Sequence, residues 1–190
     1  AEKFNTALER TLIPLRNVAR WHQTAEEIRH EDRKYFSVIG VRIRAQGREV
    51  ANWDQPIVRQ QHTGIVGCIT KDIGGVLHAL VQLKMESGVL DLLELAPTVQ
   101  CLTDNYTPDD MPPYTAYFLH RADVTTRFDT AQSEEGGRFY HESNRNIILH
   151  AGATFPEDEP SGYLWMSIAQ LKQFIAFSNF INVEARSLLA

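Results

Sequence analysis

The amino-acid sequence predicts an α+β domain built from an antiparallel or mixed sheet, one interior helix and a pair of C-terminal helices. Two observations carry this prediction. Apolar and polar residues alternate, as they do in strands, through most segments between residues 35 and 151. After residue 160 the apolar residues follow helical spacing and are preceded by a capping signal. With 190 residues, 43% of them hydrophobic, the chain can bury a core, and we treat residues 1–190 as a single domain.

The first predicted strands follow an ambiguous N-terminal region. TALERTLI fits a short helix before Pro14, and NVARWHQTAEEI fits either a helix or a loop. FSVIGVRI has the alternation of a strand, with Ile39 and Val41 on the side opposite Arg42. VANWDQPIV is the second strand, and Pro56 places it at an edge or an irregularity of the sheet.

The next two strands, TGIVGCIT and GVLHALVQLKME, form a predicted hairpin around the turn residues KDIGG. One face of the second strand is apolar, with Leu77, Ala79, Val81, Leu83 and Met85. The other face is more polar, with His78, Leu80, Gln82, Lys84 and Glu86. LLELAPTVQCL is predicted as one further strand, with Thr98 and Gln100 on the same side.

The remaining segments supply the helices and two more strands. MPPYTAYFLHR begins with proline and has aromatic spacing suited to a helix. GRFYHES and RNIILHA are predicted strands, and DEPSG is a loop. Ser167 and Gln170 have capping-box spacing at the start of the helix SIAQLKQFIAF, and NVEARSLLA forms a last short helix.

Composition argues against several classes of partner and site. The net charge of −5 argues against a nucleic-acid partner, since such proteins present a basic face. No apolar run is long enough to span a bilayer, and AEKFNTALER lacks the apolar core of a signal peptide, so we expect no membrane association and a cytoplasmic location. Cys68 and Cys101 are too few for a disulfide framework or a cysteine-rich zinc site. The histidines lack ligand spacing, and the sequence has no phosphate loop or nucleophile elbow.

Charged side chains on predicted strands are the first candidates for chemistry. Lys84 and Glu86 lie two residues apart on one strand face. They fit either a solvated ion pair or a lysine that polarises an oxygen beside a carboxylate. Glu134 and Glu135 are adjacent, so they point to opposite sides of a strand. If one of them faces a pocket, nearby like charges raise its pKa towards that of a working base; otherwise the segment is a polar hairpin.

Four further residues fit ligand contacts as well as ordinary structural positions. Trp53, with Gln55 nearby, fits either a site that stacks on a nucleobase and recognises its edge or an ordinary position in the core. Tyr106 in TDNYTPDD fits a contact to a phosphate oxygen or an ordinary loop position. Arg145 in SNRN fits bidentate pairing with a diphosphate or a surface salt bridge.

Several strings taken together resemble one family. GREVANWDQPIV, GVLHALVQLKMESG, LAPTVQ, DNYT, QSEEGGRFY, NRN and NVEARSLL are similar, in this order, to motifs of the NDP-hexose 2,3-dehydratases of deoxysugar biosynthesis. The resemblance implies a Nudix-like fold, a mixed sheet flanked by helices, and YLWMSIAQLKQFI fits its tryptophan-containing last strand and capped helix. The glutamate-rich Nudix helix that holds magnesium is missing, so we expect no metal and no pyrophosphate hydrolysis.

The substrate implied by the resemblance is dTDP-4-keto-6-deoxyglucose, which loses its C2 hydroxyl as water to give a 3,4-diketo-2,6-dideoxy sugar. A base removes the C3 hydrogen beside the C4 ketone, a donor stabilises the enolate, and an acid assists the leaving hydroxyl. No redox cofactor is needed, because the ketone is already the electron sink.

The implied chemistry selects residues on the polar strands. The catalytic candidates are Glu134 or Glu86 as base, His78 or Tyr140 as acid, and Lys84 at the enolate. The substrate-binding candidates are Trp53, Gln55, Gln82, Thr98, Gln100, Tyr106, Gln132, Asn144 and Arg145. We favour Glu134 as the base, on a strand-turn-strand segment, QSEEGGRFYHESNRN, that borders the sugar-nucleotide pocket.

The chain also departs from the family pattern. Members usually carry two copies of this domain and this chain shows one, which fits a true single-domain relative, a divergent half or a fragment of a two-domain protein. A single-domain form is expected to be a homodimer that imitates the tandem arrangement. Ser87, Glu135 and Arg138 stand where the family motifs have other residues. These departures keep a second class of function open, a non-catalytic nucleotide-sugar binding module or an isomerase of the same 4-keto sugar.

Overall fold

The computed structural model describes residues 6–121 and 123–190, and within these ranges the strands form two sheets. The smaller sheet contains β1 (Trp21–Gln23), β2 (Glu27–His30), β3 (Phe36–Arg44) and β4 (Asn52–Gln60), paired antiparallel in that order. The larger sheet contains β5 (Ile65–Ile73), β6 (Val76–Lys84), β7 (Glu94–Ala96), β8 (Val99–Cys101), β9 (Val124–Ser133), β10 (Ser143–Ala151) and β11 (Tyr163–Ser167). Its strand order is β11-β6-β5-β10-β9, with β7 beside β6 and β8 beside β5. The sheet is mixed because β5 and β10 run parallel.

Helices cover both faces of the larger sheet. The helices are α1 (Thr115–His120), α2 (Ile168–Phe174) and α3 (Val183–Leu189), and short 3-10 turns lie at Leu15–Asn17 and Thr103–Asn105. On one face Phe118 of α1 belongs to a buried cluster with Leu80 and Ile147. On the other face Leu171 of α2 belongs to a second cluster with Ala79. None of the described helices is long and apolar enough to cross a membrane.

The close approach of α1 to the sheet depends on Gly67 of β5. A Cβ atom at this position would lie 2.3 Å from a ring carbon of Phe118, well inside van der Waals contact. The Phe118 side chain is only 1% exposed, so its ring has no free space into which it could move. Gly67 therefore sets the distance between α1 and the sheet.

These observations confirm the predicted α+β class with a mixed sheet flanked by helices. The β5–β6 hairpin is confirmed too, and Gly74 and Gly75 have φ angles of 58° and 79°, as a type I′ turn requires. Ser167 and Gln170 form the expected capping box. Pro56 lies on β4, an edge strand, where its missing N–H is tolerated.

Other segment predictions are wrong. GRFYHES is not a strand but part of the connection between β9 and β10. Strand β9 itself was not predicted, because this edge strand buries little side-chain surface and so lacks an apolar face. NVARWHQTAEEI contains β1 and the start of β2, and TALERTLI contains no helix. LLELAPTVQCL forms two strands, since the chain passes at Pro97 and Thr98 from pairing with β6 to pairing with β5.

We expect Gly67→Ala to lower the free energy of unfolding by about 1–3 kcal/mol, the usual cost of overpacking a core. The matched control is Gly40→Ala in β3, where an added Cβ meets no atom within 4 Å. Urea denaturation followed by circular dichroism measures both variants. Equal stability of the two variants would contradict the close packing of α1 on β5.

Candidate functional site

A polar cleft, here called the end-of-sheet cleft, lies where β5 and β10 begin and where β6 and β8 end. Its volume is about 220 Å³. The polar side chains that line it are Gln60, Lys84, Glu86, Gln100, Asn105, Asn144 and Glu184. They come from both sheets, from a 3-10 turn and from α3, so no single segment of the sequence defines the cleft.

Lys84 supplies a fixed positive charge in this cleft. Its Nζ donates a hydrogen bond to the Gln100 backbone oxygen at 2.9 Å and lies 3.9 Å from Glu86 Oε1. Gln100 Nε2 donates to the same Glu86 oxygen at 3.4 Å. The Lys84 side chain is 22% exposed, so its ammonium can still contact a ligand that enters the cleft.

Asn144 holds Glu134 at the edge of the cleft. The Asn144 Nδ2 donates to Glu134 Oε1 at 2.7 Å, while its Oδ1 accepts from the Gly64 backbone N–H at 2.8 Å. A Cβ at Gly64 would lie 2.5 Å from the Asn144 Oδ1, so only glycine allows this contact. The hydrogen bond from the Asn144 amide to one carboxylate oxygen fixes the orientation of the Glu134 carboxyl group.

The first turn of α3 brings Glu184 into the cleft. The N-cap residue Asn182 accepts from the Ala185 N–H at 2.9 Å and donates to Gln100 Oε1 at 2.7 Å, which ties the helix to β8. Burial raises the pKa of Glu184, and the charges of Glu86 and Glu134 raise it further, while Lys84 acts in the opposite direction. Glu184 is therefore easier to protonate than an ordinary glutamate.

A second concavity, here called the open groove, lies between the inner face of the smaller sheet and the β9–β10 connection. Its volume is about 810 Å³, and Glu134 also lines it. Trp53 Nε1 donates to Gln55 Oε1 at 2.7 Å, and Gln55 Nε2 donates to the Gly137 carbonyl at 2.9 Å. The Arg48 guanidinium lies 5.5 Å from the centre of the Trp53 ring, a cation–π contact.

The polar connection 134–142 joins the two sheets, which explains why so polar a segment lies beside a core strand. Val58 of β4 donates to the Arg138 carbonyl at 2.9 Å, and the Tyr140 N–H donates back to Val58 at 2.7 Å. The connection thus adds backbone pairing to the edge of the smaller sheet while it continues the β9–β10 pairing of the larger one. Its side chains consequently line the space between the sheets.

Glu142 lies directly opposite Glu134 in this connection. The Glu134 N–H donates to the Glu142 carbonyl at 3.0 Å, one residue beyond the Ser133–Ser143 pair. Glu142 Oε2 is buried and has no hydrogen-bond partner among the described residues. Burial and then the Glu134 charge raise the pKa of Glu142 to about 7.

The structure brings together most of the residues selected from the sequence. Lys84, Glu86, Gln100 and Asn144 line the end-of-sheet cleft. Trp53, Gln55 and Tyr140 line the open groove. Glu134 lines the groove and contacts Asn144, and Gln132 is paired across the strands with Asn144.

Three of the selected residues have structural positions away from both concavities. His78 is near the other end of β6, about 20 Å along the strand from Lys84, and its Nδ1 lies 2.8 Å from the Val76 carbonyl. Thr98 is 0% exposed, and its hydroxyl donates to the Leu80 carbonyl. Gln82 Nε2 donates to the Pro97 carbonyl at 2.9 Å. These positions support no contact between His78 or Thr98 and a ligand in the cleft.

Arg145 is separated from the cleft's polar side chains, whereas Tyr106 directly follows Asn105, which lines the cleft. Arg145 points to the other face of β10, where two of its nitrogens each lie 2.7 Å from an oxygen of Asp129. These hydrogen bonds, with those of Arg121, lower the pKa of Asp129 to about 2. This is the surface salt bridge that the sequence left open. Tyr106 is 39% exposed and lies in the loop that follows Cys101, which lines the cleft.

Several polar residues of the two concavities were not selected from the sequence, among them Arg48, Gln60, Asn105, Glu142 and Glu184. Gln60 Oε1 is buried and unpartnered among the described residues. The strand register that pairs Gln132 with Asn144 also places Glu142 opposite Glu134, so this register is the signal that could have revealed Glu142. The position of Glu184 in the first turn after an Asn cap was visible, but its placement above the sheet was not. Within the described ranges no three His, Cys, Asp or Glu side chains converge as metal ligands.

The sequence comparisons identify the class of protein. The family model for NDP-hexose 2,3-dehydratases matches residues 1–190, and the chain belongs to this family. Three similar curated proteins are each named dTDP-4-dehydro-6-deoxy-alpha-D-glucopyranose 2,3-dehydratase. The protein from Saccharopolyspora spinosa is 42% identical over 99% of this chain, that from Streptomyces violaceoruber 44% over 96%, and that from Amycolatopsis orientalis 40% over 94%.

The chain spans only part of these relatives. It covers 39%, 42% and 38% of their respective lengths. Among solved structures, an ADP compounds hydrolase is similar with a TM-score of 0.46 and 13% identity, over 82% of this chain and 83% of that one. A Nudix hydrolase from M. smegmatis is similar with a TM-score of 0.39 and 14% identity, over 75% and 99%. Both TM-scores lie below 0.5, so these likenesses define neither the fold nor the function of this chain.

We expect Glu142→Gln to stabilise the protein at alkaline pH relative to acidic pH. The folded-state pKa of Glu142 is about 7 against a reference of 4.5, so the folded state binds the proton more tightly than the unfolded state. Wild-type stability therefore falls as the pH rises through this interval, and glutamine removes that loss. The difference in Tm, variant minus wild type, should be more positive at about pH 8 than at about pH 5.

The control is Glu135→Gln, since the Glu135 side chain is 64% exposed. Its Tm difference should be nearly independent of pH. If the Tm difference of Glu142→Gln is also independent of pH, the pKa of Glu142 is not raised in the folded state.

Proposed function

We propose that this chain forms the reaction site of a 2,3-dehydratase that acts on dTDP-4-keto-6-deoxyglucose. The C2 hydroxyl is lost as water, and the resulting enol rearranges to a 3,4-diketo-2,6-dideoxy sugar. Membership of the dehydratase family and the names of the relatives support this proposal. The observation that carries it is a cleft lined by the ammonium of Lys84 and by Asn144, whose side-chain amide orients the carboxylate of Glu134 at its edge.

The ammonium of Lys84 suits the charge that develops during proton removal. The C3 hydrogen is acidic because it neighbours the C4 ketone, and its removal places negative charge on the C4 oxygen. A preorganised cation beside that oxygen stabilises the enolate more than the ketone, which lowers the barrier. Lys84 is preorganised by the Gln100 carbonyl and by Glu86.

Glu134 is the base in this proposal. Asn144 donates to its Oε1, which orients the carboxyl group and leaves Oε2 to face the C3 hydrogen. The unpartnered Oε1 of Gln60 in the same cleft can accept a hydrogen bond from a sugar hydroxyl. A sugar that makes this contact satisfies a buried oxygen that otherwise has no partner among the described residues.

The open groove suits the nucleotide portion of the substrate. The Trp53 ring is held in place by Gln55 and offers a stacking surface for a base. The Arg48 guanidinium beside it supplies positive charge for the diphosphate. Because Glu134 borders the groove and contacts Asn144 of the cleft, a nucleotide in the groove can extend its sugar towards Lys84.

The remaining expectations from the sequence belong to the same proposal. Residues 1–190 act as one domain, and two copies associate as a homodimer. The ketone serves as the electron sink, so the reaction uses no redox cofactor. The net charge of −5 supports the absence of a nucleic-acid partner, and we infer a cytoplasmic location without membrane association.

Two residues that depart from the family motifs are Glu135 and Arg138. Their positions give no support to the alternative function, a non-catalytic binding module or an isomerase. Glu135 and Arg138 form an ion pair with each other at 3.5 Å, and their side chains are 64% and 68% exposed. Neither residue lines the end-of-sheet cleft. Their unusual charges are therefore largely satisfied at the surface.

We expect Glu134→Gln to abolish both deuterium exchange at C3 and loss of the C2 hydroxyl, with a fall of about 10²-fold or more, because glutamine cannot accept the proton. Binding of dTDP-4-keto-6-deoxyglucose should remain within about threefold. Lys84→Met should lose exchange as well, since the enolate then lacks its cation. The assay uses NMR in deuterated buffer, with a ketoreductase that traps the diketone.

The matched control is Glu135→Gln, which should keep wild-type rates. Full activity of Glu134→Gln would overturn its assignment as the base. Wild-type protein that binds dTDP yet catalyses neither exchange nor water loss would favour a binding module, and exchange without water loss would favour an isomerase.

A further inference from the structure

Glu134 and Glu142 form a pair of carboxyl groups on one face of the β9–β10 ribbon. Ser133 and Ser143 are paired across the strands, and the next backbone hydrogen bond joins Glu134 to Glu142. Side chains of directly opposed residues project to the same face, with Cβ atoms about 5 Å apart. Both carboxyl groups line the open groove.

The two members of the pair have different surroundings. Glu134 accepts a hydrogen bond from Asn144, which fixes the orientation of its carboxyl group. Glu142 Oε2 is buried without a partner among the described residues, which favours its neutral form. The other charged or titratable side chains around the groove are Arg42 and Arg48 from the smaller sheet and Tyr140 and His141 from the connection. Of the two carboxyl groups, Glu142 is therefore the one whose surroundings favour the protonated form.

The substrate of the proposed reaction presents its two reacting groups on one side. In a sugar of gluco configuration the C3 hydrogen and the C2 hydroxyl both lie on the same face of the ring. A base and an acid that act on these groups must then approach from that face. Two adjacent carboxyl groups on one face of a β-ribbon meet this requirement.

We infer that Glu142 is the general acid of the dehydration, a role that rests on the proposed function of the site. Glu134 takes the C3 hydrogen as a proton, and the C3–H electron pair passes into the enolate. The C2–O bond then breaks as Glu142 gives its proton to the departing oxygen, which leaves as water. The product is the 3-hydroxy-2-en-4-one, the enol of the diketone.

The proton count of the pair is unchanged by this step. Before the reaction the proton is on Glu142, and afterwards it is on Glu134. Transfer of one proton between the adjacent carboxyl groups restores the starting state, and no oxidant or reductant takes part. When the enol becomes the diketone, C2 takes one proton from the pair and the C3 hydroxyl gives one proton back to it, so the proton count of the pair is again unchanged.

The other candidate acids fit this step less well. His78 lies near the far end of β6 and hydrogen-bonds there. Tyr140 is 39% exposed, and its ring stacks on His141 at 4.2 Å, which holds it along the wall of the groove. Glu184 projects from α3 rather than from the ribbon that carries Glu134. Only Glu142, among the described carboxyl groups, is paired across the strands with the proposed base.

The test separates proton removal from loss of the hydroxyl. Glu142→Gln should keep deuterium exchange at C3 within about threefold of wild type, since Glu134 remains, whereas water loss should fall by about 10²–10⁴-fold, the usual contribution of a general acid. Glu135→Gln is the comparison and should retain water loss, since the Glu135 side chain is 64% exposed and lines neither concavity. Circular dichroism and thermal unfolding establish that each variant is folded.

A substrate with a better leaving group gives a readout that a structural role would not produce. The 2-deoxy-2-fluoro analogue of the 4-keto sugar nucleotide expels fluoride without full protonation, so it should bypass the acid. We expect Glu142→Gln to release fluoride within about threefold of wild type, while Glu134→Gln releases none. Wild-type protein should also lose water-elimination activity above about pH 7 while retaining C3 exchange.

The outcomes distinguish the inference from the proposed function. Normal water loss by Glu142→Gln overturns the role of Glu142 and leaves the dehydratase proposal standing. Equal loss of exchange, water release and fluoride release in a folded Glu142→Gln also overturns an acid role. Failure of the wild-type chain to exchange C3 or to release water contradicts the proposed function itself.

Discussion

The side-chain amide of Asn144 is the contact on which the geometry of the site depends. It accepts from the Gly64 backbone at the start of β5 and donates to Glu134 at the end of β9. Both functions of one amide are thereby used, so the side chain has a single orientation. The contact holds the β9–β10 connection against the larger sheet, and the connection in turn pairs with β4 of the smaller sheet. The end-of-sheet cleft and the open groove are adjacent for this reason.

The electrostatics of the end-of-sheet cleft are set by the Lys84 ammonium and the carboxyl groups around it. Lys84 faces Glu86 and Glu184 in the cleft, and Glu134 influences both Glu142 and Glu184. Burial, together with the like charges, raises the pKa values of Glu142 and Glu184, whereas the Asn144 amide orients the carboxyl group of Glu134. Neighbouring carboxyl groups thus have different surroundings, which suits one of them to act as a base and another as an acid.

Much of the site could be predicted from local patterns and from the resemblance to a family. Alternation along β6 placed Lys84 on its polar face, and the motif strings led to Gln100, Glu134 and Asn144. The same reasoning selected Thr98, whose hydroxyl is instead used by buried backbone groups of β5 and β6. A polar residue on a strand has the same sequence signature in both roles, because only the tertiary structure decides what its side chain meets.

The residues that the sequence did not reveal depend on contacts between distant segments. Glu184 enters the cleft because Asn182 binds Gln100, a contact that spans 82 residues. Glu142 became part of the site through the register of β9, and that edge strand has too little apolar surface to be recognised from its sequence. In both cases alternation and capping signals define the element, while its position in the fold comes from long-range packing.

The most direct test of the central claim, that one cleft unites an enolate-stabilising lysine with an oriented base, is a crystal structure of the chain with an unreactive dTDP-sugar. The account predicts that the C4 oxygen of the sugar lies within hydrogen-bonding distance of Lys84 Nζ and that C3 faces the Glu134 carboxylate. The nucleotide should occupy the open groove beside Trp53. A sugar bound with no carboxylate near C3, or a base seated in the end-of-sheet cleft, would contradict the account.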